Sequence, residues 1–174
     1  MNIGIELKNA FYISLAMLIW RCIEFFTGIQ TTYIAYYSLI NNLSLIIFVF
    51  FLYKGIKTRR NEFFEGYIDF TNAFKSGFLI SFFSAIFSIP VVFIFYKFIN
   101  TGFFDFMIEY SAIEAATKGK DPDQVTQLAK SYFTMKVFII QAFTLSLLSG
   151  SLVSMILAAI LKRKAPEEVL HQEV

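Results

Sequence analysis

A chain of 174 residues in which 57% are hydrophobic, 23 are Phe and 16% are charged cannot hide its apolar surface in a water-soluble core of that size. The formal net charge of +2 gives no ground for a nucleic-acid partner, and a single cysteine, Cys22, rules out a disulfide framework. The one histidine, His171, sits in a polar tail without a ligand set around it, so neither a metal nor another cofactor is expected. A bilayer is the solvent that this composition fits.

The first apolar run extends from Ala10 to Phe26, and Thr27-Gly28-Ile29-Gln30 follow it instead of a small-x-small cleavage site. It therefore reads as a retained helix, not a signal peptide. Four segments reach the ~20 residues needed to cross hydrocarbon: about 9–29, 36–53, 77–99 and 137–161. Their apolar residues run continuously instead of alternating, which excludes membrane-spanning strands. The expected fold class is an all-α membrane protein with four transmembrane helices. Residues 1–164 form its single domain, and 165–174 a disordered cytoplasmic tail.

Two connections carry a helical pattern of their own. Phe63, Phe64, Tyr67, Phe70 and Phe74, within 63–76, recur at spacings of three and four. They predict an amphipathic helix lying in the interface before the third span. After that span, Phe103, Phe106, Met107, Tyr110 and Ile113 repeat the spacing, with Asp105, Glu109 and Glu114 offset as a solvated face. Asp121-Pro122 then starts a further helix. No breaker separates it from the fourth span, so that span is expected to project ~20 Å beyond the membrane at 1.5 Å per residue.

Lys and Arg set the orientation. Lys54, Lys57, Arg59 and Arg60 follow the second span, and Lys162, Arg163 and Lys164 follow the fourth. Four crossings put both clusters on one side, which the positive-inside rule makes the cytoplasm, with both termini inside. The basic loop 54–60 could also attract anionic headgroups.

Charges inside a span need an explanation. Arg21 and Glu24, three residues apart in the first span, share a face and can pair. Depth arithmetic puts Asn41 and Asn42 of the second span, and Gln141 and Thr144 of the fourth, at about the same level. Arg21, Glu24, Asn41 and Gln141 thus define a candidate polar layer in the outer half of the bundle. One reading is an ion, proton or headgroup site. The other is a structural hydrogen-bond network, or Arg21 snorkelling to the surface beside Trp20. A separate signal lies in the small residues Gly77, Ser81 and Ala85 of the third span. Every fourth residue is again small in Ser146, Gly150, Ser154 and Ala158 of the fourth. Such series let helix backbones approach closely in lipid. No catalytic motif is present, and no catalytic residue is expected.

Four stretches resemble a bacterial membrane family known as domain of unknown function 4199. They are EGYIDFTNAFKSGFLIS, FYKFINTGFFDFMIE, SYFTMK and GSLVSMILAAILKRK. The resemblance covers nearly the whole chain and implies four transmembrane helices in an inner membrane, without an activity. Members of that family are often encoded beside a membrane glycosyltransferase, an association that supports an accessory role. The expected function is therefore a non-enzymatic accessory or scaffolding subunit. Its partners would be the lipid bilayer and a membrane protein or a second copy of itself. The rival is a small transporter or channel built on the Arg21/Glu24 layer.

The orientation is testable by cysteine labelling with an impermeant reagent in intact spheroplasts. A cysteine placed at Gln124 should react and one at Thr58 should not. The reverse pattern inverts the orientation, and reaction at both changes the number of crossings.

Overall fold

The computed structural model describes residues 3–164. The tail read over 165–174, His171 included, lies outside the described residues. Among the described residues there are six α-helices: α1 Gly4–Phe26, α2 Tyr37–Phe63, α3 Phe70–Ile94, α4 Phe103–Thr117, α5 Pro122–Tyr132 and α6 Met135–Leu161. One turn of 3₁₀ helix, Ile34–Tyr36, leads into α2, and a wider π-helical segment, Phe95–Ile99, continues α3. Four of these stretches are long and apolar enough to cross a membrane: Gly4–Phe26, Ile34–Phe63, Phe70–Ile99 and Met135–Leu161.

The helix ends follow local chemistry. Gly28 takes φ +76° just past α1, and its N–H and that of Ile29 close on the carbonyls of Phe25 and Glu24. That is the Schellman stop, which a residue with a Cβ adopts only under strain. Asp69 caps α3 by accepting from the Asn72 N–H at 2.6 Å, and Asp121 caps α5.

Three expectations give way here. The helix expected over 63–76 does not exist as a separate element: Phe63 ends α2, and 70–76 are the first turns of α3. Glu65 and Gly66, both at positive φ, break the chain there, and after the Asp69 cap nothing interrupts the helix. The basic stretch 54–60 is no loop but the continuation of α2, since Lys and Arg are good helix formers. The fourth span does not project as one rod. Extended backbone at Thr134 separates α5 from α6, and the Thr134 hydroxyl caps the new helix on the Val137 N–H at 3.3 Å.

At the centre of the bundle α3 packs on α1, α2 and α6, most extensively on α6. There Gly77 lies against Ser154, and Gly150 against Ser81. A Cβ on Gly77 would stand 2.7 Å from that of Ser154, and one on Gly150 2.6 Å from that of Ser81. Ala85 of α3 and Ala158 of α6 are also fully buried. One apolar cluster, with Ile13, Leu52, Ile56, Ile80 and Leu157, fills the end of the bundle where α1 begins and α6 ends. A second, aromatic cluster around Phe95, Tyr96 and Phe103 fills the other end. An antiparallel bridge, Ile68 N–H to Arg163 O at 3.0 Å and Arg163 N–H to Ile68 O at 2.8 Å, ties the α2–α3 connection to the end of α6.

Gly150→Leu should drive α3 and α6 apart and lower thermal stability in detergent, because its side chain would overlap Ser81. Leu148→Phe, at a position 58% exposed, should be tolerated. Equal losses from the two would remove the small-residue contact as the basis of the pairing.

Candidate functional site

A cavity of about 350 Å³ lies between the four spans. Lining it are Trp20 and Arg21 from α1, Asn41 and Asn42 from α2, Ser84 and Ser88 from α3, and Ser146 and Ser149 from α6, with apolar residues between them. Such a volume is within the range of small-ligand sites.

The wide π-helical turn at Phe95–Ile99 brings Phe95 and Tyr96, adjacent in sequence, both into the interior. It lies shortly after Pro90, which supplies no N–H to the helix ladder. Tyr96 accepts a hydrogen bond from Arg21 Nη1 at 3.1 Å, and the guanidinium carbon lies 5.8 Å from its ring centroid. Rings of Phe103, Phe104 and Phe138 surround Tyr96 at centroid distances of 4.9–5.4 Å. Arg21 is thus held inside the bundle by an aromatic neighbour, not turned out toward the surface.

Glu24 is fully buried and turned elsewhere. Its carboxylate accepts from Trp20 Nε1 at 2.7 Å and from Gln30 Nε2 at 3.1 Å. The Gln30 carbonyl in turn accepts from Asn100 Nδ2 at 2.8 Å. The stop at Gly28 is what folds Gln30 back over the end of α1. No carboxylate among the described residues comes within 4.0 Å of the Arg21 guanidinium, so the expected Arg21–Glu24 pair is not formed. Both charges instead find neutral partners.

Asn41 joins Arg21 at the cavity wall. Gln141 does not: it donates to the Tyr132 hydroxyl at 2.8 Å, and Thr144 is exposed. Depth arithmetic gives the height of a residue on a helix but not the direction it faces. The face of α6 turned to the cavity carries Ala142, Leu145, Ser146 and Ser149. Gly77, Ser81, Gly150 and Ser154 lie at the α3–α6 contact, Ala85 is buried, and none of the five lines the cavity. At the C-terminal end of α4, Lys118 donates to Glu114 at 2.5 Å, which raises its pKa; Asp105 and Glu109 are exposed.

A second buried charge cluster has no counterpart in the sequence reading. Glu6, Arg59 and Ser76 are each at most 2% exposed. Arg59 Nε donates to Glu6 Oε1 at 2.9 Å and Arg59 Nη2 to Oε2 at 3.2 Å. The Ser76 hydroxyl adds a third bond to Oε1 at 2.7 Å. Phe63 lies under the guanidinium, 4.5 Å from its carbon. This cluster joins α1, α2 and α3 through two-pronged, charge-assisted bonds. Its signal was present: Glu6, Asn9, Ala10, Ile13 and Ser14 lie on one helical face, and all are buried. With α1 expected to begin near residue 9, Glu6 fell outside that face.

The model of a family described as a protein of unknown function (DUF4199) matches residues 8–163, and the chain belongs to that family. No curated protein and no solved structure matches it.

The Glu6–Arg59 pair predicts strong coupling in a double-mutant cycle read by thermal denaturation in detergent. Glu6→Leu or Arg59→Met alone should cost ~3–5 kcal/mol by breaking a buried ion pair from one side. The double variant should cost less than the sum by ~1 kcal/mol or more. Additive losses would show that the pair does not act as a unit.

Proposed function

We propose, with membership of the DUF4199 family as the premise, that this chain is a non-enzymatic, multi-pass protein of a bacterial inner membrane. In this reading both termini are cytoplasmic, α4 lies in the outer interface, and the bundle holds a small polar group among its spans. The chain serves a membrane partner as an accessory or scaffolding subunit, an envelope glycosyltransferase being the partner expected from the family resemblance.

The cavity carries this reading. Keeping Arg21 and several uncharged polar side chains around an open space inside a membrane bundle is costly, and a bound polar group offsets that cost. The partner is supported by α2. Only 6% of its most apolar 18 residues are buried, against 28–33% for the other three spans. Its outer face carries Leu39, Leu43, Ile46 and Phe50, all exposed.

Transport through the same cavity is the second reading. It is favoured by Pro90 and the π-helical segment beside the site, since irregular helices near a polar site are where transporter bundles move. Purification in a gentle detergent, followed by mass spectrometry of co-purifying proteins and lipids, separates the two. A stoichiometric membrane protein retained with the chain is the expected result. A homo-oligomer without partner that carries ion flux in liposomes would replace the subunit reading with transport.

A further inference from the structure

Ser84 stands apart from the other buried serines of the described residues, each of which has a hydrogen-bond partner, Ser76 on Glu6 and the rest on their own helix. In an apolar setting a helical serine turns its hydroxyl back to a carbonyl three or four residues earlier. Ser14 bonds to Ala10 O at 3.0 Å, Ser81 to Gly77 O at 2.8 Å, Ser88 to Ala85 O at 2.7 Å and Ser154 to Gly150 O at 2.6 Å. The Ser84 hydroxyl has no partner, although the residue is only 2% exposed. It lines the same cavity as Arg21. An unbonded buried donor beside an open space calls for a partner there.

Around that space the polar groups share one bias. Arg21 makes a single side-chain hydrogen bond, to Tyr96, which leaves further N–H donors of its rigid fork free to bind. The amides of Asn41 and Asn42 make no side-chain hydrogen bond to other described residues. The carboxylate nearest in sequence, Glu24, is occupied by Trp20 and Gln30. A fixed positive charge, a free hydroxyl and two free amides converge on a space without an acidic group in its wall. That is the recognition chemistry of an oxyanion.

The rim shows where the occupant comes from. Asn42 and Leu45 of α2 and Leu145 of α6 line the cavity yet are exposed on the bundle's flank, Leu45 at 47% and Leu145 at 63%. The opening therefore faces the bilayer between α2 and α6. Its volume of about 350 Å³ accommodates a headgroup but not two acyl chains, which would stay in the lipid and lie along the apolar rim.

We propose that this cavity is a lateral binding site for the phosphate head of an anionic amphiphile, gripped by Arg21 and Ser84 and admitted from the bilayer between α2 and α6. The proposal rests on the reading of the cavity as a polar-ligand site and specifies its ligand. A phosphate group could reach the site as a lipid head or as a free ion. The apolar rim and lateral opening favour the lipid.

Trp20 is the chain's single tryptophan and lines the cavity, so its fluorescence reports occupancy directly. The purified full chain, delipidated in a neutral detergent, is titrated with short-chain phosphatidylglycerol, short-chain diacylglycerol or inorganic phosphate. Phosphatidylglycerol should give a saturable change in Trp20 emission. Its Kd should rise about tenfold or more in Arg21→Met and about threefold or more in Ser84→Ala, as loss of a charged and of a neutral hydrogen bond respectively. Because Ser84→Ala removes no existing bond, it keeps the test open should Arg21→Met fold poorly. Equal saturation by inorganic phosphate would overturn the lipid source. Equal saturation by diacylglycerol, or a phosphatidylglycerol Kd unchanged in both variants, would overturn the oxyanion grip while leaving a polar-ligand cavity. No saturable response to any of the three would overturn both.

Discussion

The α3–α6 contact is the constraint on which the rest of the bundle depends. In lipid no hydrophobic force draws two apolar helices together, so close packing and hydrogen bonds must do it. Gly77 against Ser154 and Gly150 against Ser81 bring the two backbones to a separation that a Cβ at either glycine would not permit. The two serine hydroxyls lie 3.4 Å apart at the crossing. With α3 held so tightly on one side, α1 and α2 pack on its remaining surface. Phe48 of α2 reaches α6 beside Gly150, and past that point the wall between α2 and α6 gives way to the cavity.

Charge inside the bundle is handled in two ways. At the end where α1 begins and α6 ends, Glu6 bonds both Arg59 and Ser76, with Phe63 under the guanidinium. Complementary charges and a shared hydroxyl make that cluster a joint between three helices, and it leaves no space for a ligand. Near the other end Arg21 and Glu24 are separated onto different neutral partners. Separated charges keep binding capacity that a closed pair would use up, and the cavity sits on the Arg21 side. The same residue types thus build a structural lock in one half and a receptive site in the other.

Local irregularity sets up that second half. Gly28 ends α1 and turns Gln30 back to hold Glu24 away from Arg21. The π-helical turn after α3 places Tyr96 where Arg21 needs an acceptor. Thr134 restarts the chain as α6, so the segment α4–α5 is distinct from the span and is joined to the bundle through the aromatic cluster around Phe103. These three features shape the polar end without adding a charged residue.

Chain-local physics was enough for the helices themselves. Apolar run length located the four spans, and the spacing of Gly77, Ser81, Gly150 and Ser154 marked the face on which α3 meets α6. Asp121-Pro122 marked the start of α5. Arg21 and Asn41 were visible as polar residues at one depth. What the sequence could not supply was azimuth and partnership. Residues at one height on different helices meet only if the helices are rotated to face each other, and rotation is set by packing among all four. That is why Gln141 turns to Tyr132 and not to Arg21, why Glu24 takes Trp20 and Gln30, and why Glu6 meets an Arg59 that lies 53 residues away. Ser84 looked like any other serine in an apolar helix. Only the tertiary structure left its hydroxyl without a partner at the wall of an open space, because an unmet hydrogen bond is a property of what surrounds a residue and not of the residue itself.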